Sequence, residues 1–210
     1  MKRSYNWRAV MGNSPSSSAN PSGIQGICPN GWHVPSDVEW TTLTSYVSSQ
    51  TAFQCGTTAT YIAKSLSSQN YWYNYGNNGT CYVGDLSYPN NTTGFDARPA
   101  GYYSSGYGYD YSSNAYFWSS TQYSASNSYY RGLKYNAATV TSGNKAKYIG
   151  YSVRCVKGTG VLETCVDTIM EQTVSITYGT SYSWRGKTLT DGGVYYDSLQ
   201  SNGGCDSQCR

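Results

Sequence analysis

Apolar residues are sparse along this chain and fall into two rhythms. In "PSDVEWTTLTSYVSSQ", Trp40, Leu43 and Val47 recur at helical spacing. Ser36 followed by Glu39 spells a capping box, in which hydroxyl and carboxylate reciprocally satisfy free backbone N–H groups of the first turn. A second, weaker helix is predicted in "ATYIAKSLSS", with Ile62, Ala63 and Leu66 on one face. After Ser68 the chain turns rich in Gly, Asn, Ser and Tyr, and short strands are predicted at 115–119, 128–135, 137–141 and 149–156. Helices early and strands late read as an α+β fold. On alternation, Tyr130, Lys134 and Asn136 face one way, opposite to Leu133. Trp118 and Leu133 are expected in the core, and Arg131 is expected to point inward to pair or stack.

Composition explains how so few aliphatic residues could make a core. The chain holds 24 tyrosines and 6 tryptophans but only 3 phenylalanines. Each large ring buries apolar area and keeps one polar atom that needs a partner. Disorder of the charged kind is excluded, because only 12% of residues are charged and the net charge is +3. The expectation is a folded, loop-rich protein with an aromatic core.

Charge divides the chain near Lys157, with eleven Lys/Arg against five Asp/Glu up to that point and three against six beyond it. "KGTG" at 157–160 reads as a linker, which gives a first domain over 1–158 and a second segment over 159–210. In the second segment "TCVDT" at 164–168 echoes "GCDSQ" at 204–208, about 40 residues apart, a period that suits tandem β-modules. Residues 161–204 therefore read as one small all-β repeat, and 205–210 as the stub of another.

Seven cysteines beside one histidine, with no C-x-x-C pair, point to disulfides in an oxidising compartment rather than to zinc. The odd count leaves at least one cysteine without a partner in this chain. The opening residues carry no apolar run long enough for a signal peptide, and no stretch could span a membrane. The expectation is a fragment of a longer exported protein, extracellular or on the cell surface. In "CPNGWHVPS" the cysteine and histidine lie too close along an extended stretch to converge as nucleophile and base. A structural reading places Cys28 in a disulfide, Trp32 in the core and His33 packed or hydrogen-bonded.

"GICPNGWHVPSDVEWTTLTSYV", "TTGFDARPAGYY", "YFWSSTQY", "YYRGLKYN" and "GYSVRCVK", in that order, resemble the Fibrobacter succinogenes major paralogous domain over roughly 4–157. That resemblance implies a C-type-lectin-like fold, with two helices on a twisted antiparallel sheet with long loops, in an exported setting. It also implies bridges pairing Cys28 with Cys155 and Cys55 with Cys81, which leaves Cys165, Cys205 and Cys209 to the tail. The tail resembles short bacterial surface repeats of the "Y-x-W-x-G … G-x-Y … GCDS" type. The calcium-binding lectin tripeptides are absent and carboxylates are sparse, so no metal, no cofactor and no enzymatic activity are expected.

Function is expected to lie in the Tyr/Ser/Asn-rich stretch 102–148, which has the composition of a paratope: rigid rings for contact area and small polar residues for adaptable hydrogen bonds. The candidate ligand-binding residues are Tyr107, Tyr109, Tyr111, Tyr123, Asn127, Tyr129, Tyr130, Lys134 and Asn136. The expected partner is a glycan or a protein, bound without calcium. Nucleic acid is not expected, because the basic residues are scattered and form no stripe. The alternative is a structural display or spacer module. Residues 122–148 also use much of the residue set that adenine-directed mutagenesis yields in retroelement-diversified relatives of the lectin-like superfamily.

Overall fold

The computed structural model describes residues 3–158, residue 181 and four short strands beyond it. Close contacts group the chain into two compact units, Met1–Val161 and Leu162–Arg210. The first unit runs α1 (Trp7–Met11), β1 (Trp32–His33), α2 (Asp37–Ser49), α3 (Ala63–Leu66), β2 (Tyr102–Ser104), β3 (Tyr107–Tyr109), β4 (Asn114–Gln122), β5 (Asn127–Lys134), β6 (Thr141–Ala146) and β7 (Val156–Lys157). It is an α+β architecture with few helices and antiparallel sheets. In the second unit β8 (Tyr182–Trp184) pairs with β9 (Lys187–Leu189), and β10 (Asp197–Gln200) with β11 (Asp206–Cys209). Most of the expected repeat over 161–204, Cys165, Cys205 and the side chain of Cys209 lie outside the described residues.

Helix α2 starts where the capping box puts it. Ser36 Oγ accepts from Glu39 N at 3.2 Å, and Glu39 Oε2 accepts from Ser36 N at 2.9 Å. The second helix is shorter than expected, a single turn. Ser65 and Ser67 return their hydroxyls to the carbonyls of Ile62 and Lys64, each at 2.8 Å, so the backbone is offered an alternative to continuing the helix. The chain then leaves along Ala97, through Ala97 N to Leu66 O at 2.9 Å and Ser68 N to Ala97 O at 2.8 Å. Helix α1, too short for its periodicity to register, is held by Asn6, whose side chain accepts from Ala9 N, and by Gly12 in the left-handed region at its end.

The central sheet has the order β4-β5-β6. The expected strand over 137–141 does not form: a turn closes at Ala137 N bonded to Lys134 O, the chain is irregular through residue 140, and β6 begins only at Thr141. The expected strand over 149–156 is a set of single bridges, Gly150 to Tyr103, Tyr151 to Tyr5 and Ser152 to Phe117, before β7 pairs with β1. Each residue there meets a different neighbour, so no regular ladder forms.

Two apolar clusters fill the sides of this sheet. Trp40 and Val47 of α2 meet Ile62, Leu66, Phe117 and Leu133 in one; Trp7, Val10 and Met11 of α1 meet Val34, Trp118, Tyr116 and Tyr151 in the other. Trp118 and Leu133 are buried as expected. Trp32 is not a core residue: it is 39% exposed. Strand β1 has only two residues, and alternation that turns His33 inward turns Trp32 out. Arg131 is buried and reaches Asp37 and Thr41 of α2. Disulfides join Cys28 to Cys155 and Cys55 to Cys81.

Candidate functional site: a tyrosine-lined face

Antiparallel register determines which rings meet. Tyr116 lies opposite Gly132, Trp118 opposite Tyr130, and Tyr130 opposite Gly143. The glycines leave room for the rings: a Cβ on Gly132 would stand 3.1 Å from the Tyr116 ring, and one on Gly143 would stand 3.1 Å from the Tyr130 ring. Tyr151 stacks on Tyr116 at 4.8 Å and contacts Trp118 at 4.6 Å, and Tyr130 meets Tyr116 and Tyr151 edge-on at 5.7 and 5.2 Å. The β2–β3 hairpin extends the array outward. Its cross-strand pair Tyr102 and Tyr109 stacks at 5.0 Å, and Tyr102 meets Tyr116 edge-on at 6.0 Å. The rings therefore run without a break from Trp118, fully buried, to Tyr109, 41% exposed.

Polar groups fix the outer part of this face. Asp110 Oδ2 accepts from Asn114 Nδ2 at 2.6 Å and from Tyr116 Oη at 3.1 Å. Burial, with the charge of Asp110 second, pushes the Tyr116 phenol well above its ordinary pKa; burial does the same to Tyr151 and Tyr130. These phenols stay neutral donors at any physiological pH. What these rings offer is rigid aromatic area with O–H donors.

The candidate ligand-binding residues divide between two surfaces. Tyr107, Tyr109 and Tyr111 sit on or beside the hairpin, with Tyr107 69% exposed. The Tyr111 ring packs across Gly108, where a Cβ would fall 1.9 Å from Tyr111 Oη. Tyr130 joins them through Tyr102 and Tyr116, and Lys134, opposite Asn114, shares the Tyr130 face. Tyr123, Asn127 and Tyr129 form a second patch. Tyr129 pairs with Asn144 on the side of the sheet that Arg131 occupies, Tyr123 meets Tyr129 edge-on at 5.4 Å, and Asn127 Nδ2 donates to Asn144 Oδ1 at 2.9 Å. A period of two separates Tyr129 from Tyr130 however close they are in sequence. Asn136 is exposed in the turn after β5.

A third aromatic surface lies in the loop 69–90, which sequence reasoning passed over although it has the same Tyr/Asn-rich make-up. Tyr73 and Tyr75 meet Tyr135 at 5.1 and 5.9 Å, and Tyr75 meets Tyr82 at 5.0 Å. Trp72, Asn74, Tyr88 and Asn90 line a cleft of about 200 Å³ in this loop. The loop is anchored from within. Lys64, buried, donates to the carbonyls of Tyr82, Val83 and Asp85, and burial lowers its pKa to about 8 against the opposing charge of Asp85. Asp85 accepts from Thr80 N at 2.6 Å, Thr80 Oγ1 at 2.8 Å and Ser87 N at 2.8 Å. Burial alone would raise the Asp85 pKa, but these bonds outweigh it and hold the carboxyl well below its ordinary value. A depressed carboxyl pKa stabilises the fold above the unfolded value and loses that contribution as the pH falls toward the folded one. Asp85→Asn should therefore cost on the order of 1–3 kcal/mol at pH 7. The gap between variant and parent in urea midpoint should begin to narrow below about pH 4 and go on narrowing as the pH falls toward the folded value. A gap that stays constant down to pH 2 would show that the charge of Asp85 has no part in holding the loop.

The Cys28–His33 neighbourhood is committed to structure. Cys28 is in a disulfide, and His33 is buried with Nε2 at 2.6 Å from Glu39 Oε1 and Nδ1 against the Gly158 carbonyl. Among the described residues no group of three His, Cys, Asp or Glu side chains is placed to hold a metal ion, and no helix is long and apolar enough to cross a membrane.

The chain belongs to the Fibrobacter succinogenes major domain family, whose model matches residues 2–157. No curated protein and no solved structure matches it.

Proposed function

We propose that this member of the Fibrobacter succinogenes major domain family is an exported, non-enzymatic binding module that recognises a glycan or protein ligand without calcium. The observation that carries the reading is the stacked Tyr102–Tyr109 pair, open to solvent at one end and backed by buried rings at the other. Such rings present large contact area with little conformational entropy to lose, and their flat faces suit sugar rings as well as protein side chains. A C-type-lectin-like fold is supported by α2 against an antiparallel sheet and by a bridge from Cys28, ahead of that helix, to Cys155 near the end of the domain. Two disulfides are consistent with an extracellular setting. The β-strands after residue 181 suit a surface-repeat segment that follows the domain in the chain.

The full chain should be screened on a glycan array and on bacterial and host-cell surfaces, with and without chelator. Beside it should run Tyr107→Ala/Tyr109→Ala and, for the second patch, Tyr123→Ala. The expected result is saturable binding that survives chelation and falls at least about tenfold in the hairpin variant, a loss of about 1.4 kcal/mol. Retained binding in the hairpin variant with loss in Tyr123→Ala would move the site to the opposite face. Chelator-sensitive binding would overturn the calcium-free reading, and no binding to any of these surfaces would favour a spacer.

A further inference from the structure

A second kind of site lies on α2, away from the tyrosine face. An open groove of about 540 Å³, within the range of about 300–1,000 Å³ usual for small-molecule sites, is lined by Trp40, Leu43, Tyr46, Phe95 and Val156. Its walls are almost wholly apolar, and Tyr46 and Val156 are exposed at its margins. Two charged side chains reach it, Glu39 and Arg154. Glu39 is spoken for: Oε2 accepts from Ser22 N and Ser36 N, and Oε1 meets His33.

Arg154 is not. Its guanidinium lies over Phe95 at 4.5 Å and near Phe117 at 5.9 Å, and Nη2 donates to the Phe95 carbonyl at 2.9 Å. Among the described residues no carboxylate lies within ion-pair distance of it; Asp96, whose charge it feels together with that of Arg98, is engaged by Arg98 at 3.1 Å. A half-buried guanidinium has five N–H groups, and most of those here have no acceptor among the described residues. Stacking on aromatic faces fixes its plane, which suits it to grip a planar anion with two parallel hydrogen bonds.

We propose that this groove binds a monoanionic amphiphile, a medium-chain carboxylic acid whose carboxylate pairs with Arg154 and whose apolar body lies against Trp40, Leu43, Tyr46 and Phe95. One cation in apolar walls selects the charge of the ligand. A dianionic phosphate would bring a second negative charge near the carboxylates of Glu39 and Asp96, with Arg98 already committed to Asp96, and a neutral lipid would leave the guanidinium unmatched. The proposal is independent of ligand binding at the tyrosine face, since the two sites share no residue.

The test titrates the oxidised full chain with decanoate and with decanol at neutral pH, read by calorimetry and by amide and indole shifts. The expected result is decanoate binding with Kd below about 1 mM, at least about tenfold tighter than decanol, with shifts centred on Trp40, Leu43 and Tyr46. Arg154→Gln should abolish the preference for decanoate. Should that variant fail to fold, Thr42→Glu serves in its place. It adds a repelling carboxylate on an exposed, groove-lining position of α2, and should weaken decanoate at least about tenfold while sparing decanol. Equal affinity for acid and alcohol, a preference that persists in a folded Arg154→Gln, or no binding at millimolar decanoate would overturn the proposal.

Discussion

Replacing Cys28 and Cys155 together with serine is expected to lower the stability of the domain by about 5 kcal/mol. The bridge closes 127 residues, most of the first unit, so its loss returns the largest share of entropy to the unfolded chain. The same relation gives only about 3.5 kcal/mol for Cys55–Cys81, which closes 26 residues. For a domain of this size the larger loss corresponds to a fall in Tm of roughly 10–20 °C. The two double-serine variants, measured by thermal and urea unfolding, should rank in that order. The bridge also acts locally. Cys28 belongs to the segment that leads into β1, Cys155 precedes β7, and β1 pairs with β7 over only two residues. Without the bridge the join rests on that two-residue ladder, on the His33 contact to the Gly158 carbonyl and on Gly158 N donating to Gly31 O at 2.7 Å. Amide exchange at Trp32–His33 and Val156–Lys157 should accelerate more than at β4 or β5. If the two bridges cost the same, or exchange rises uniformly, loop closure is not what the long bridge contributes.

Where the chain carried a local rule with enough repeats to be read, structure followed it. The capping box at Ser36 and Glu39 sets the start of α2, and the alternation through Trp118, Tyr130 and Leu133 sets the faces of β4 and β5. Elements of two to five residues have no period to detect. That is why α1 escaped notice, why α3 is shorter than its apolar face suggested, and why Trp32 lies outside the core. The strand expected over 149–156 failed for a different reason. Its residues are bonded one by one to Tyr103, Tyr5 and Phe117, an arrangement set by tertiary neighbours and invisible to local pattern. The candidate site divides in the same way. Composition located tyrosine-rich surface at 102–148 and alternation separates Tyr129 from Tyr130, but only register shows which rings each meets, and the equally tyrosine-rich loop 69–90 went unread. Arg154 carried no sequence signal of lacking a close carboxylate partner, because that depends on which carboxylates other partners have already engaged.

Removing Asp37 should cost more than removing Arg131, although the two form one ion pair. Arg131 rises from β5 and is 5% exposed; Asp37, the first residue of α2, has a side chain 26% exposed. Beyond the carboxylate, Arg131 Nη2 donates to the Asp37 carbonyl at 3.2 Å and to Thr41 Oγ1 at 2.9 Å, so the guanidinium ties the first turn of α2 to the sheet. Asp37→Ala leaves a cation buried with only neutral acceptors, the situation that costs roughly 3–5 kcal/mol when a buried pair is broken. Arg131→Met keeps the volume and leaves a carboxylate that water can reach, at a helix N-terminus whose dipole favours negative charge. That variant should lose less, on the order of 1–3 kcal/mol. In the double variant Asp37→Ala/Arg131→Met neither charge remains, and part of the single losses should be recovered rather than summed. Urea unfolding of the four proteins gives the cycle directly. Additive losses would mean that the pair is incidental. A larger loss for Arg131→Met than for Asp37→Ala would mean that Arg131 acts through packing between β5 and α2 rather than through its charge.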